Sequence, residues 1–434
     1  MGARALTPLE VATCMVFGVE AAKPPLREAG EDSARAVLER VVAEALARPP
    51  VMVSFSGGRD SSAILALATH LSRRLGAAPP VPVTLRFARC AQTHEATWQE
   101  AVVGHLGLDD WIRLELDDEV DALGPYARGV LLAHGVLWPP NAHFHAPIFE
   151  VGHGGTVLTG AGGDEVMSPH RWSRVAQVLT GRVRPRPRDV LRVGHALSPR
   201  WLRIAVLRHR RTAEPAGSWL RPEAARALMD ESGTDVAADP WRWDAWLRHR
   251  WWPSRYRLLA EESLAIMAAD FGVSVAHPLM DGRFLAAAAR QFRLVGFEGR
   301  TLAMSRLFGD LLPPALCARS SKASFNSVFF NRHSRAFVAD WTGAGVDDRL
   351  VDVEALRREW SGERGFDART LTLLQSAWLA QRSHDIEEAA DGRLDGLPGR
   401  GPAEGVAREG GKLQQPLGPD AWMHEDRRMG QEGR

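Results

Sequence analysis

The stretch Ser56-Gly57-Gly58-Arg59-Asp60-Ser61-Ser62 follows directly on the apolar run Val51-Met52-Val53 and runs into AILALATHLSRRL, which reads as a helix. Strand, glycine-rich turn and helix in that order stack backbone N–H donors at a helix N-terminus, where the partial positive charge favours an anion. Gly57 and Gly58 let the backbone close in on a phosphate, and the hydroxyls of Ser56, Ser61 and Ser62 add donors. Asp60 cannot bind phosphate directly, so its sensible task is to hold Mg²⁺. No Gly-Lys-Ser/Thr ends the loop and no GxGxxG is present, so this is neither a Walker A loop nor a dinucleotide fingerprint. A phosphate site of another class is implied. Lysine is the other informative type: the only lysines are Lys23, Lys322 and Lys412 in a chain whose basic residues are otherwise arginine.

The elements that must position this loop alternate. A helix over 32–46, with Asp32 and Ser33 as cap candidates, leads into the opening strand. Strands follow at 81–87 (VPVTLRF), 111–116 (WIRLEL) and 156–160 (TVLTG), with helices at about 94–107 and 118–135 between them. That order predicts an α/β fold with a parallel sheet covered by helices on both faces, whose ligands bind beyond the carboxyl ends of the strands. From about residue 170 arginine and tryptophan dominate, and helices are expected near 256–271, 282–292, 300–311 and 366–390. The run WRWDAWLRHRWW (241–252) reads as an amphipathic helix packed into the core, with a peptide-gripping surface as the alternative. The chain divides into a lead-in (1–48), one α/β domain (49–390) and a Gly-, Pro- and charge-rich tail (391–434) expected to be disordered.

Composition bounds the function class. The chain has 434 residues, 45% hydrophobic and 25% charged, with a formal net charge of +1. No global field draws it to nucleic acid or to a membrane, so neither is expected as a partner, and any basic patch must be local. Cys14, Cys90 and Cys317 make no disulfide framework, and no signal-peptide pattern opens the chain, which together imply a cytoplasmic protein. No apolar run reaches the roughly 20 residues of a membrane helix. His143 and His145 share a face if extended, but no cysteine or acid stands at zinc-site spacing, so a zinc pair is not expected.

Three further motifs carry a resemblance. They are Thr159-Gly160-Ala161-Gly162-Gly163-Asp164-Glu165 behind a strand, His277-Pro278-Leu279-Met280-Asp281 before a helix, and Leu312-Pro313-Pro314 leading to Lys322 and Phe325. With SGGRDSS, their order and spacing resemble the synthetase domain shared by asparagine synthetase, β-lactam synthetase and the lasso-peptide cyclases, over roughly residues 50–340. These are N-type ATP pyrophosphatases, which split ATP between its α and β phosphates and leave an acyl-adenylate. The resemblance implies a PP-loop, HUP-like sheet with additional C-terminal helices, and ATP and Mg²⁺ as cofactors. It puts Ser56, Gly57, Gly58, Asp60, Ser61 and Ser62 around the pyrophosphate, Asp60 and Asp164 on Mg²⁺, and backbone near Leu85, Arg86 and Gly160 against the adenosine. Lys322 falls on the family's late lysine, which stabilises charge at phosphorus and at the acyl centre; one fixed donor of that kind contributes about 3 kcal/mol.

Departures from the pattern refine the expectation. Ala161 stands where relatives carry Glu or Tyr. Glu262 falls where β-lactam synthetase has a proton-removing glutamate, so Glu262, or its neighbour Glu261, is the expected base for an attacking amine. A lysine that contacts phosphate in the family is Leu302 here, with Arg300 as its substitute. Gly2 stands where glutamine-dependent members have a cysteine nucleophile, so the resemblance implies no glutaminase of its own. The expected activity is AMP-forming amide synthesis on a small-molecule or peptide carboxylate, by cyclisation onto an internal amine. Asparagine synthesis with ammonia from a separate subunit, and a catalytically impaired scaffold in a peptide-modifying complex, are the alternatives. A partner that recognises a precursor peptide would go with the first.

Overall fold

The computed structural model describes residues 4–27, 30–93, 95–211, 217–319, 325–362 and 366–394. Five strands form one parallel sheet: β1 (Val51–Ser54), β2 (Val81–Phe87), β3 (Ile112–Leu116), β4 (Thr156–Leu158) and β5 (Ser274–Ala276), in the order β3-β2-β1-β4-β5. β1 is wholly apolar over its first three residues because both of its faces are covered by helices. On one side Val53 pairs with Pro82, on the other with Leu158. The chain winds outward from β1 to β3 and then crosses back to β4, so the order reverses between β1 and β4. In open parallel sheets that reversal leaves a crevice at the strand ends where ligands bind.

The helices that cover the sheet obey their local chemistry. The Ala34–Leu46 helix starts at Ser33, whose hydroxyl accepts from Ala36 N at 3.2 Å, and its buried face of Val37, Leu38, Val41, Val42, Ala45 and Leu46 follows the expected period. The Arg59–Leu75 helix ends at Gly76, which takes the left-handed conformation (φ +65°) of a C-terminal cap. Between residues 118 and 135 the helix is shorter than expected, Pro125–His134. The preceding turn is held by Asp121, fully buried, which accepts from Leu123 N, Asn331 N and Ser334. A methyl on Gly124 would lie 2.6 Å from Asp118 O, so that turn is closed by glycine alone.

The tryptophan-rich run is core. Trp243–Trp246 is one α-helical turn that continues as a π-helical segment, Leu247–Trp251, and Trp243, Leu247 and Trp251 are buried in the main apolar cluster. The final helix, Leu371–Leu394, runs into the stretch expected as a tail; the remainder of that tail, 395–434, lies outside the described residues. No described helix is long and apolar enough to cross a membrane.

Candidate functional site

The two glycine-rich loops open at the carboxyl ends of β1 and β4, the strands that flank the reversal, and their backbones press together. A methyl on Gly160 would lie 2.7 Å from Ser61 N, and one on Gly163 would collide with the carboxyl carbon of Asp60. Only glycine permits this approach. Within the first loop, Ser61 Oγ accepts from Ser56 N at 3.3 Å, lies 3.2 Å from Ser56 Oγ and donates to Gly58 O. Two of the hydroxyls expected to meet phosphate thus also shape the turn, while Ser62 Oγ is buried with no hydrogen-bond partner among the described residues. Gly57 adopts φ +81°, and a methyl there would stand 2.8 Å from Gln99 Cγ.

Asp60 and Asp164 come to one place. Arg300, at the start of the Arg300–Phe308 helix, donates from Nη2 to Asp60 Oδ2 at 2.5 Å and from Nη1 to Asp164 Oδ1. One guanidinium therefore spans the two carboxylates. Leu302, two residues on, is exposed, so it takes no part in the crevice floor. Arg59 stands in the same field: burial, then repulsion from Arg300, lowers its pKa below the ordinary value, with Asp60 opposing.

A second cation locks the first loop from behind. Arg319 is buried, donates to Gly57 O at 2.6 Å and pairs with Glu95, whose own side chain is 9% exposed. Gln99 Nε2 donates to Ser56 O at 3.1 Å. Glu95, Gln99 and Arg319 escaped the sequence reading. A glutamate at the head of a helix looks like capping chemistry, and its partner lies more than two hundred residues away.

Leu85 is buried in β2, and beside it Arg86 lies over the Trp111 ring at 5.2 Å with Nε and Nη2 buried and lacking a partner among the described residues. β5, a three-residue strand absent from the sequence reading, brings His277 to β4, where His277 Nδ1 lies 2.7 Å from Thr159 Oγ1. Burial, with His145 nearby, lowers the His277 pKa to about 4, so its imidazole is neutral. His143 is likewise held neutral by burial, with Nε2 3.0 Å from Val120 O. Among the described residues no group of three or more potential ligands could hold a metal on its own.

The amine-base candidates lie on the Arg255–Asp270 helix. Glu262 Oε1 lies 3.4 Å from Arg4 Nη1, and its Oε2 is buried without a partner among the described residues. Glu261 pairs with Arg257, and burial raises its pKa despite that cation. Tyr256, at the start of the same Arg255–Asp270 helix, reaches Glu165 Oε1 at 3.5 Å, which ties this helix to the second loop. Lys322 lies outside the described residues.

The arrangement fits a magnesium nucleotide. The Arg59–Leu75 helix begins at Gly58 with no side-chain cap, leaving first-turn N–H groups for anionic oxygens. Asp60 and Asp164 supply the hard oxygen donors that Mg²⁺ takes alongside phosphate, and a bound Mg²⁺ would neutralise charge on the phosphates. Comparison with known proteins agrees. No curated protein matches the chain, but the family model described as asparagine synthase matches residues 33–382, well over half its length. With both loops at the sheet reversal and that match spanning the sheet and its helices, the chain belongs to the asparagine synthase family, whose members are ATP-dependent amide ligases.

Proposed function

We propose that this chain adenylates a substrate carboxylate and joins it to an amine of the same molecule, making a lactam or macrolactam. The observation that carries the reading is the meeting of Asp60 and Asp164 through Arg300 beside an uncapped helix N-terminus. A carboxylate oxygen attacks the α-phosphorus, the bond from phosphorus to the bridging oxygen breaks, and pyrophosphate departs. The amine nitrogen then attacks the acyl carbon, loses one proton and expels AMP. The unpartnered donors of Arg86 support a nucleoside contact at the end of β2, and Glu262, with Oε2 buried and free of partners among the described residues, is the proton acceptor. From the family resemblance, Lys322 stabilises the charge that builds in both steps.

The test is carboxylate-dependent exchange of labelled pyrophosphate into ATP. Asp60→Asn is expected to lower exchange by more than about 100-fold while the circular dichroism spectrum is retained. A product one water lighter than its substrate, formed without ammonia, identifies cyclisation; a product that has gained nitrogen points to asparagine-type amidation. A second reading is favoured by one observation: Arg300 already spans the two carboxylates and offsets part of their charge. If no carboxylate supports exchange in the wild-type protein, the chain is a scaffold rather than a ligase.

A further inference from the structure

The net charge of +1 conceals a sharp local excess. Residues 182–211 hold ten arginines and a single acid, Asp189. That acid accepts from Arg174 and from Arg186 N and lies 3.8 Å from Arg192, and Arg182 pairs with Glu298, so the open charge of the segment is carried by four other arginines. Arg184, Arg186, Arg188 and Arg200 are exposed and have no carboxylate within salt-bridge distance among the described residues.

The two helices of this segment, Pro187–Leu197 and Arg200–Arg211, each show apolar side chains outward. On the first, Val190 is 70% and Leu191 77% exposed, and Leu197 follows at the i+7 position of the same face. On the second, Trp201 is 68% exposed, with Leu202 beside it. Among the described residues neither helix needs these faces to be seated. The first helix is already seated through Asp189 and Ala196, with His195 against the Trp172 ring, and the second through Leu207 and Arg203, which donates to Asp239 O at 2.8 Å.

We infer that this helical pair is a docking surface for an anionic phospholipid bilayer. An amphipathic helix with arginine on its flanks and Trp, Leu and Val outward places the apolar stripe at the acyl boundary and the guanidinium groups at lipid phosphates. A bilayer suits these features better than an acidic peptide does, because the stripes are outer faces of helices rather than walls of a groove, and lipid demands no matching shape. The expectation that no membrane is a partner rested on net charge and on the lack of a membrane-length apolar run, and helices that lie on a bilayer with a local charge escape both arguments. The inference is independent of the ligase reading.

The experiment is sedimentation of the full chain with vesicles of phosphatidylcholine, with and without phosphatidylglycerol. Binding is expected only to the anionic vesicles, to weaken as salt rises, and to fall by more than about tenfold in Leu191→Glu/Trp201→Glu. Both side chains are exposed, so the variant keeps the wild-type circular dichroism spectrum. Wild-type protein that ignores anionic vesicles at low salt, that binds both vesicle types equally, or that binds polyglutamate but not vesicles overturns the inference. So does a folded double variant that binds as well as the wild type.

Discussion

Around the Ser56 loop the guanidinium groups meet oxygen: Arg300 spans Asp60 and Asp164, and Arg319 holds Gly57 O and Glu95. On the Pro187–Leu197 and Arg200–Arg211 pair, Arg184, Arg188 and Arg200 meet no carboxylate among the described residues. The same side chain is a structural rivet in one place and an open charge in the other. Burial makes the difference. A guanidinium taken out of water must be paired, and the pair fixes a geometry; one left in water keeps its charge for something outside the molecule.

Substitutions at the two regions should therefore differ in kind. Arg319→Ala leaves Glu95 buried without its cation, and the expected loss is about 3–5 kcal/mol, read as a lowered urea midpoint, with partial recovery in the double variant carrying Glu95→Gln. Arg188→Ala, in contrast, should leave that midpoint unmoved, and a large drop there would erase the distinction.

Acid should strike the packed region and spare the arginine surface, which does not titrate. Burial holds His143, His170 and His277 at about 4, against 6.5 for an exposed imidazole, with Arg171 adding repulsion at His170. The unfolded chain takes up these protons first as pH falls. Their contribution is thus complete above about 6.5 and declines down to about 4, by up to roughly 1.4 kcal/mol per pH unit for each histidine. Denaturation midpoints at pH 7 and pH 5 measure the decline, and His143→Asn should flatten it.

Smaller effects sharpen the picture. Arg300→Gln removes the cation between two carboxylates that are partly open to water, and a loss of about 1–2 kcal/mol is expected without metal. Added Mg²⁺ should restore more stability to this variant than to the wild type, as seen in thermal midpoints; equal gains would mean the pair does not take the ion. Least of all, Gly194→Ala in the arginine-rich pair meets open space, with nothing within 4 Å of the added methyl. A gain of about 0.4–1 kcal/mol follows from helix propensity alone, with pyrophosphate exchange unchanged.

Local patterns made much of this legible. β2 matches its expected span, and the Ser33 cap and the buried face of the first long helix stand where period and cap chemistry put them. The two loops could be read because a glycine-rich turn after an apolar strand is a short-range signal. What escaped depends on distance along the chain. β5 is three residues long and exists only because β4 lies beside it, and Glu95 acquires its role only from Arg319. Arg300 was assigned to phosphate, and nothing near it in sequence announces that two remote aspartates would converge on it.

The parallel pairing of β1 with β4 joins segments about a hundred residues apart, with an entire half-sheet threaded between them. A chain that is only partly folded can therefore own every residue of the carboxylate pair without owning the pair. The pair is assembled only when β4 docks beside β1, so its presence certifies that the long-range strand order is complete, and a half-formed molecule lacks it.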